Sequence, residues 1–136
     1  MASTIRRHNP PTVHPPAGRY SHATVHPLGN GLKRLVMAGQ VGVRPDGSLP
    51  ADLGGQIEQA YDNLLAVLVS EGMGPGDLVK ITYFTTDGSA EALKLSRDIR
   101  AKKLGDITPS STYLVIAGLA GPKLMVEIEG EAVAAA

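Results

Sequence analysis

Between Leu53 and Gly72 the apolar residues fall at Leu53, Ile57, Ala60 with Tyr61, Leu64 with Leu65, and Leu68. Gaps of three and four place them on one stripe of an amphipathic helix, and Gly72 and Gly74 mark its end. A weaker pattern of the same period runs from Ser89 to Leu104, with Ala92, Leu95, Ile99 and Lys103 on one face and Asp87 or Ser89 as the cap. Elsewhere the period is two. Strands are predicted over 20–25, 32–43, 77–85, 111–117 and 123–133, separated by turn signals at Gly29-Asn30-Gly31, Arg44-Pro45-Asp46-Gly47 and Ala120-Gly121-Pro122. Pro27 is expected to end the first strand, and residues 1–17, with Pro10-Pro11 and Pro15-Pro16, to form an extended and partly mobile entry. The order ββαβαββ belongs to an α+β domain with both helices on one face of a sheet.

That arrangement leaves a second sheet face without cover. Several strands carry apolar residues on both sides: Val79, Ile81 and Tyr83 against Phe84, and Leu114 and Ile116 against Tyr113 and Val115. A bare face of this kind exceeds the apolar patch that a monomer usually exposes, so another copy of the chain is expected to bury it. The last strand sharpens the picture. Leu124, Val126, Ile128 and Ala132 point one way, towards the helices; Met125, Glu127, Glu129 and Glu131 point the other. Three carboxylates about 6.6 Å apart along a strand are costly unless solvated or paired, and a water-filled interface or a partner's Lys or Arg is expected at Glu129 and Glu131.

Composition narrows the functional classes. With 136 residues the chain is one domain, taken as 18–136 behind the Pro-rich segment 1–17. Thirteen basic and thirteen acidic residues leave no net charge, which argues against nucleic acid as a partner. The absence of cysteine removes disulfides, thiolate metal sites and cysteine nucleophiles. No apolar run approaches the roughly 18 residues of a membrane span, so a cytoplasmic protein without membrane contact is expected. The chain has no Gly-x-Ser-x-Gly elbow and no phosphate-binding glycine fingerprint. His22 and His26 would share a strand face but stand roughly 13 Å apart, too far for one metal, so neither metal nor cofactor is expected. His22 remains a candidate proton shuttle beside Tyr20.

Three blocks carry a family likeness. Gly18-Arg19-Tyr20-Ser21-His22-Ala23, Ala38-Gly39-Gln40, and Pro109-Ser110-Ser111-Thr112 leading to Val126-Glu127-Ile128-Glu129 resemble, in order and spacing, the signature blocks of the Rid (YjgF) family. The resemblance implies a homotrimer of chorismate-mutase-like subunits, each with a single six-stranded mixed sheet and two helices on one face. It also implies a substrate cleft between neighbouring subunits, where enamines or imines are hydrolysed to keto acids and ammonia. On this reading Glu127 positions the water and Tyr20 stands beside the substrate. Ser111 falls where deaminating members carry an arginine that grips the substrate carboxylate. Losing such a contact forfeits charge-assisted hydrogen bonds of about 1.5–3 kcal/mol each, so weak action on 2-iminobutanoate-type substrates is expected. Ser110, Ser111 and Tyr113 complete the substrate-binding set, with Arg19 as a possible replacement cation. Two functions stay open: a deaminase-like hydrolase, or a non-catalytic trimer that binds a small metabolite or acts as a chaperone-like scaffold.

Overall fold

In the computed structural model, which describes residues 4–136, the apolar stripe from Leu53 forms helix α1 (Leu53–Ser70). The weaker pattern forms α2 (Ala90–Leu104), where the Ser89 side chain accepts from the Ala92 amide and so settles the choice of cap. Six strands make one mixed sheet: β1 (Arg6–His8), β2 (Ala23–Gly29), β3 (Leu32–Val41), β4 (Leu78–Thr85), β5 (Ser110–Val115) and β6 (Val126–Ala135). Their spatial order is β1-β2-β3-β6-β4-β5; every pair is antiparallel except β4 and β5, which α2 connects in parallel. Both helices cover one face. Ile57, Leu64 and Leu68 of α1 meet Leu35, Met37, Ile81, Val126 and Ile128 of the sheet, all almost fully buried.

Close backbone approach decides one joint. A Cβ at Gly42 would lie 2.6 Å from Gln56 Cα and carbonyl oxygen, so only glycine lets the end of β3 meet the start of α1. The buried Gln56 side chain then donates to the Pro50 and Lys123 carbonyls and accepts from the Met125 amide. The loop leading into β6 is thereby tied to α1.

Several sequence expectations shift. The sixth strand, β1, comes from the Pro-rich segment, whose extended conformation pairs Arg6–His8 with Ala23–Val25. Mobility expected of residues 1–3 lies outside the described residues. The strand predicted over 20–25 begins instead at Ala23, and Tyr20 sits in the irregular segment before it. Pro27 does not end that strand: it pairs with Lys33 beyond the reach of β1, where its missing N–H is not needed. The glycine turn is confirmed by positive φ at Gly29 (85°), Asn30 (54°) and Gly31 (74°).

A bulge between Leu78 and Lys80 changes the reading of β4. It turns Leu78 towards the core and leaves Val79 48% exposed, whereas strict alternation groups Val79 with Ile81 and Tyr83. The uncovered face is accordingly more polar than expected. It carries Phe84, Val36 and Leu114 among Lys80, Thr82, Arg34 and the three glutamates. The cation facing Glu131 is the chain's own Arg34, at 2.8 Å, not a partner's.

Candidate active site

Glu127 stands near the start of β6 on the uncovered face, opposite Val41 at the end of β3 and Phe84 near the end of β4. Between Met37 and Gln40 the register of β3 slips, and the extra residues include Gly39. The Glu127 side chain lies directly over that glycine: an added Cβ would be 2.6 Å from Cδ and 2.8 Å from Oε1. Burial pushes the Glu127 carboxyl above its ordinary value, and the neighbouring Glu129 charge adds to the effect. A half-buried carboxyl with raised proton affinity is suited to take and return protons.

The next residue, Gln40, turns inward. Its amide donates to His22 Nδ1 at 3.0 Å and to the Ala38 carbonyl at 3.1 Å. His22 in turn donates from Nε2 to the His14 carbonyl at 2.7 Å, a combination that selects the Nε2–H tautomer. The imidazole is fully buried, and desolvation lowers its proton affinity. With both nitrogens occupied and the charged form disfavoured, His22 is a structural strut; the proton-shuttle expectation fails. Tyr20 packs edge-on against it, with ring centroids 5.9 Å apart, and remains 45% exposed. A run of contacts therefore leads from Tyr20 through His22 and Gln40 to the glycine under Glu127.

The remaining predicted residues do not join them within one chain. Ser110 faces the same side of the sheet as Glu127, but it pairs with Lys80 while Glu127 pairs with Phe84. Four residues of strand rise separate those positions, roughly 13 Å. Arg19 lies with Arg7 and Tyr20 around an open depression before β2, and two strands, β3 and β6, separate β2 from the β4–β5 pair that carries Ser111. Ser111 and Tyr113 face the opposite way, towards α2. There Tyr113 stacks on Tyr83, centroids 5.2 Å apart and planes 9° from parallel. The Ser111 hydroxyl accepts from Arg100 Nη2 at 2.6 Å, and Arg100 Nε donates to the Tyr61 hydroxyl at 3.2 Å. A cavity of about 270 Å³ opens here, bordered also by Ser96 and Arg97.

Sequence reasoning passed over Arg97 and Arg100. Their spacing of three on the polar side of α2 was a signal, but helix periodicity alone did not say which strand they would face. Gly39 and Gln40 stood out only as a family block, not for the support they give Glu127. Among the described residues no group of three metal-ligating side chains lies together, and no helix is long and apolar enough to cross a membrane.

The family model described as Endoribonuclease L-PSP matches residues 11–134. The 2-iminobutanoate/2-iminopropanoate deaminase of Escherichia coli (strain K12) is 35% identical over 88 residues, 64% of this chain and 62% of that protein. The chain thus aligns with about three-fifths of the length of that curated relative. Among solved structures, the Rid family protein YyfA from Yersinia pestis, of unknown function, superposes with a TM-score of 0.80 at 29% identity, covering 94% of this chain and 98% of that one. The YjgF gene product from E. coli gives 0.78 at 26% identity, again over 94% and 98%.

Proposed function

Because the chain belongs to the endoribonuclease L-PSP family, to which the Rid (YjgF) proteins belong, we propose that it is a reactive-intermediate deaminase whose Glu127 drives hydrolysis of an imine. The observation that carries this reading is the Glu127 carboxyl, half-buried over Gly39 with its proton affinity raised. Glu127 accepts a proton from water as the oxygen attacks the imine carbon, forming a carbinolamine. That proton passes to the imine nitrogen; the carbinolamine hydroxyl proton then follows it through Glu127, the C–N bond breaks as the carbonyl forms, and ammonia leaves a keto compound. An enamine enters the same route by tautomerising to the imine. Tyr20 borders the substrate, and Ser111 leaves position 111 without the arginine that would grip a substrate carboxylate.

The site is proposed to be completed in a homotrimer. Glu127 and Ser111 occupy opposite faces of one sheet, so they can serve a common cleft only if it lies between copies. The uncovered face, with Phe84, Val36 and Leu114, supports such an association. A 14.2 kDa monomer at micromolar concentration in sedimentation would refute it.

The test of chemistry is keto-acid release from imines generated in situ. The expected result is turnover that Glu127→Gln lowers at least 100-fold; unchanged turnover in that variant refutes the role of Glu127. One observation favours the second reading, a metabolite-binding trimer without turnover: the Ser111 hydroxyl is already held by Arg100. That reading predicts ligand-induced thermal stabilisation with no imine hydrolysed.

A further inference from the structure

Helix α2 carries five cations, and they divide into two groups. Lys94 pairs with Asp98, Lys102 with Glu58 and Lys103 with Asp62. The two arginines have no carboxylate. Arg100 donates only to the neutral Ser111 and Tyr61 hydroxyls, and Arg97 has no hydrogen bond or ion pair among the described residues. Both border the same cavity of about 270 Å³, and no Asp or Glu lines it.

Two guanidinium groups converging on a concavity without a counter-charge repel one another and attract an anion. The stacked Tyr83 and Tyr113 rings add a flat aromatic wall beside them. The volume lies just under the roughly 300–1,000 Å³ of small-molecule pockets, which suits a small organic acid and excludes a nucleotide. Guanidinium matches the planar, two-oxygen geometry of a carboxylate.

We propose that this cavity binds the carboxylate of a small planar organic acid, with Arg97 and Arg100 of α2 supplying the cationic grip that position 111 lacks. The ligand lies with its unsaturated part along the Tyr83–Tyr113 pair, and its carboxylate takes hydrogen bonds from Arg100 and Arg97. Binding stands on the cavity alone. The step from bound acid to substrate rests on the deaminase reading.

The experiment uses crotonate, a planar acid that cannot be deaminated, with crotonamide as its neutral isostere and inorganic phosphate as a second anion. Three of the four tyrosines border the cavity and the chain has no tryptophan, so tyrosine fluorescence reports on it directly. Expected are saturable quenching by crotonate, little response to crotonamide or phosphate, and roughly 10- to 100-fold weaker binding in Arg97→Gln and Arg100→Gln, the worth of a charge-assisted hydrogen bond. Arg97 is exposed, so Arg97→Gln retains the fold even if loss of the Arg100–Tyr61 bond disturbs it. Equal binding of crotonamide, preference for phosphate, unchanged affinity in Arg97→Gln, or no saturable binding overturns the proposal. Crotonate binding without imine turnover therefore sinks the deaminase reading alone, and turnover without crotonate binding sinks this one alone.

Discussion

Replacing Gly39 with alanine isolates the support beneath Glu127. The new methyl would stand 2.6 Å from Cδ, 2.7 Å from Cγ and 2.8 Å from Oε1 of Glu127. Ordinary carbon contacts begin near 3.5 Å, so the carboxyl must retreat by about 1 Å. It can do so, because it is the end of a flexible side chain on the uncovered face. The off-rotamer cost of about 0.5–1.5 kcal/mol is partly offset by about 0.4–1 kcal/mol of reduced unfolded-state entropy. The melting temperature should therefore change by only a few degrees, roughly what 1 kcal/mol shifts in a domain of this size. Turnover should not survive so well. A misplacement near 1 Å can cost about 100-fold, equivalent to about 2.7 kcal/mol of barrier. The assay is kcat/KM for keto-acid release beside thermal unfolding, with Gly39→Ala/Glu127→Gln expected to be no worse than Glu127→Gln. Gly42→Ala supplies the contrast, since its methyl meets Gln56 backbone that cannot yield; it should lose at least the about 1–3 kcal/mol of an overpacked core. Wild-type kcat/KM in a folded Gly39→Ala protein would refute the reasoning.

Other outcomes follow from the same contacts. The acid limb of the rate profile should lie above pH 4.5, the ordinary value for glutamate, because burial raises the Glu127 proton affinity; Glu129→Gln removes the second cause and should move the limb towards lower pH. Since the folded-state value is raised, stability linked to Glu127 is full below its unfolded value and falls as pH rises through the folded one. Glu127→Gln should then melt higher than wild type at neutral pH while losing turnover. Glu71 accepts from Arg6 at 2.9 Å, His8 at 2.8 Å and Lys33 at 3.2 Å, tying β1 and β3 to the end of α1. Burial raises its proton affinity, but the Arg6 and Lys33 hydrogen bonds outweigh this and hold it low. Its stabilisation is thus present above pH 4.5 and lost as pH falls through the depressed folded value. Glu71→Gln should cost about 2 kcal/mol by denaturant unfolding, reduced from a fully buried network because Arg6 is exposed. Ser111→Arg should lower the melting temperature and not raise 2-iminobutanoate turnover, because its guanidinium would meet Arg100, already 2.6 Å from the Ser111 hydroxyl.

Local rules account for what the chain alone determined. The three- and four-residue spacing from Leu53 to Leu68 requires a helix with one buried stripe, and Ser89 can cap α2 through its own neighbours. Alternation along β6 puts Glu127, Glu129 and Glu131 on one face whatever the sheet is packed against. These properties depend on residues a few positions apart, so they are legible without coordinates. Strand faces were legible only where pairing stays regular. The bulge at Val79 and the slip around Gly39 add unpaired residues, and each reverses the parity that simple counting assumes. Which strand lies beside which, and what a helix side chain touches, depends on contacts between residues far apart in the chain. Tertiary packing alone therefore decided that Glu127 rests on Gly39, that Arg6–His8 closes the sheet edge, and that Arg100 reaches Ser111 from the opposite face to Glu127.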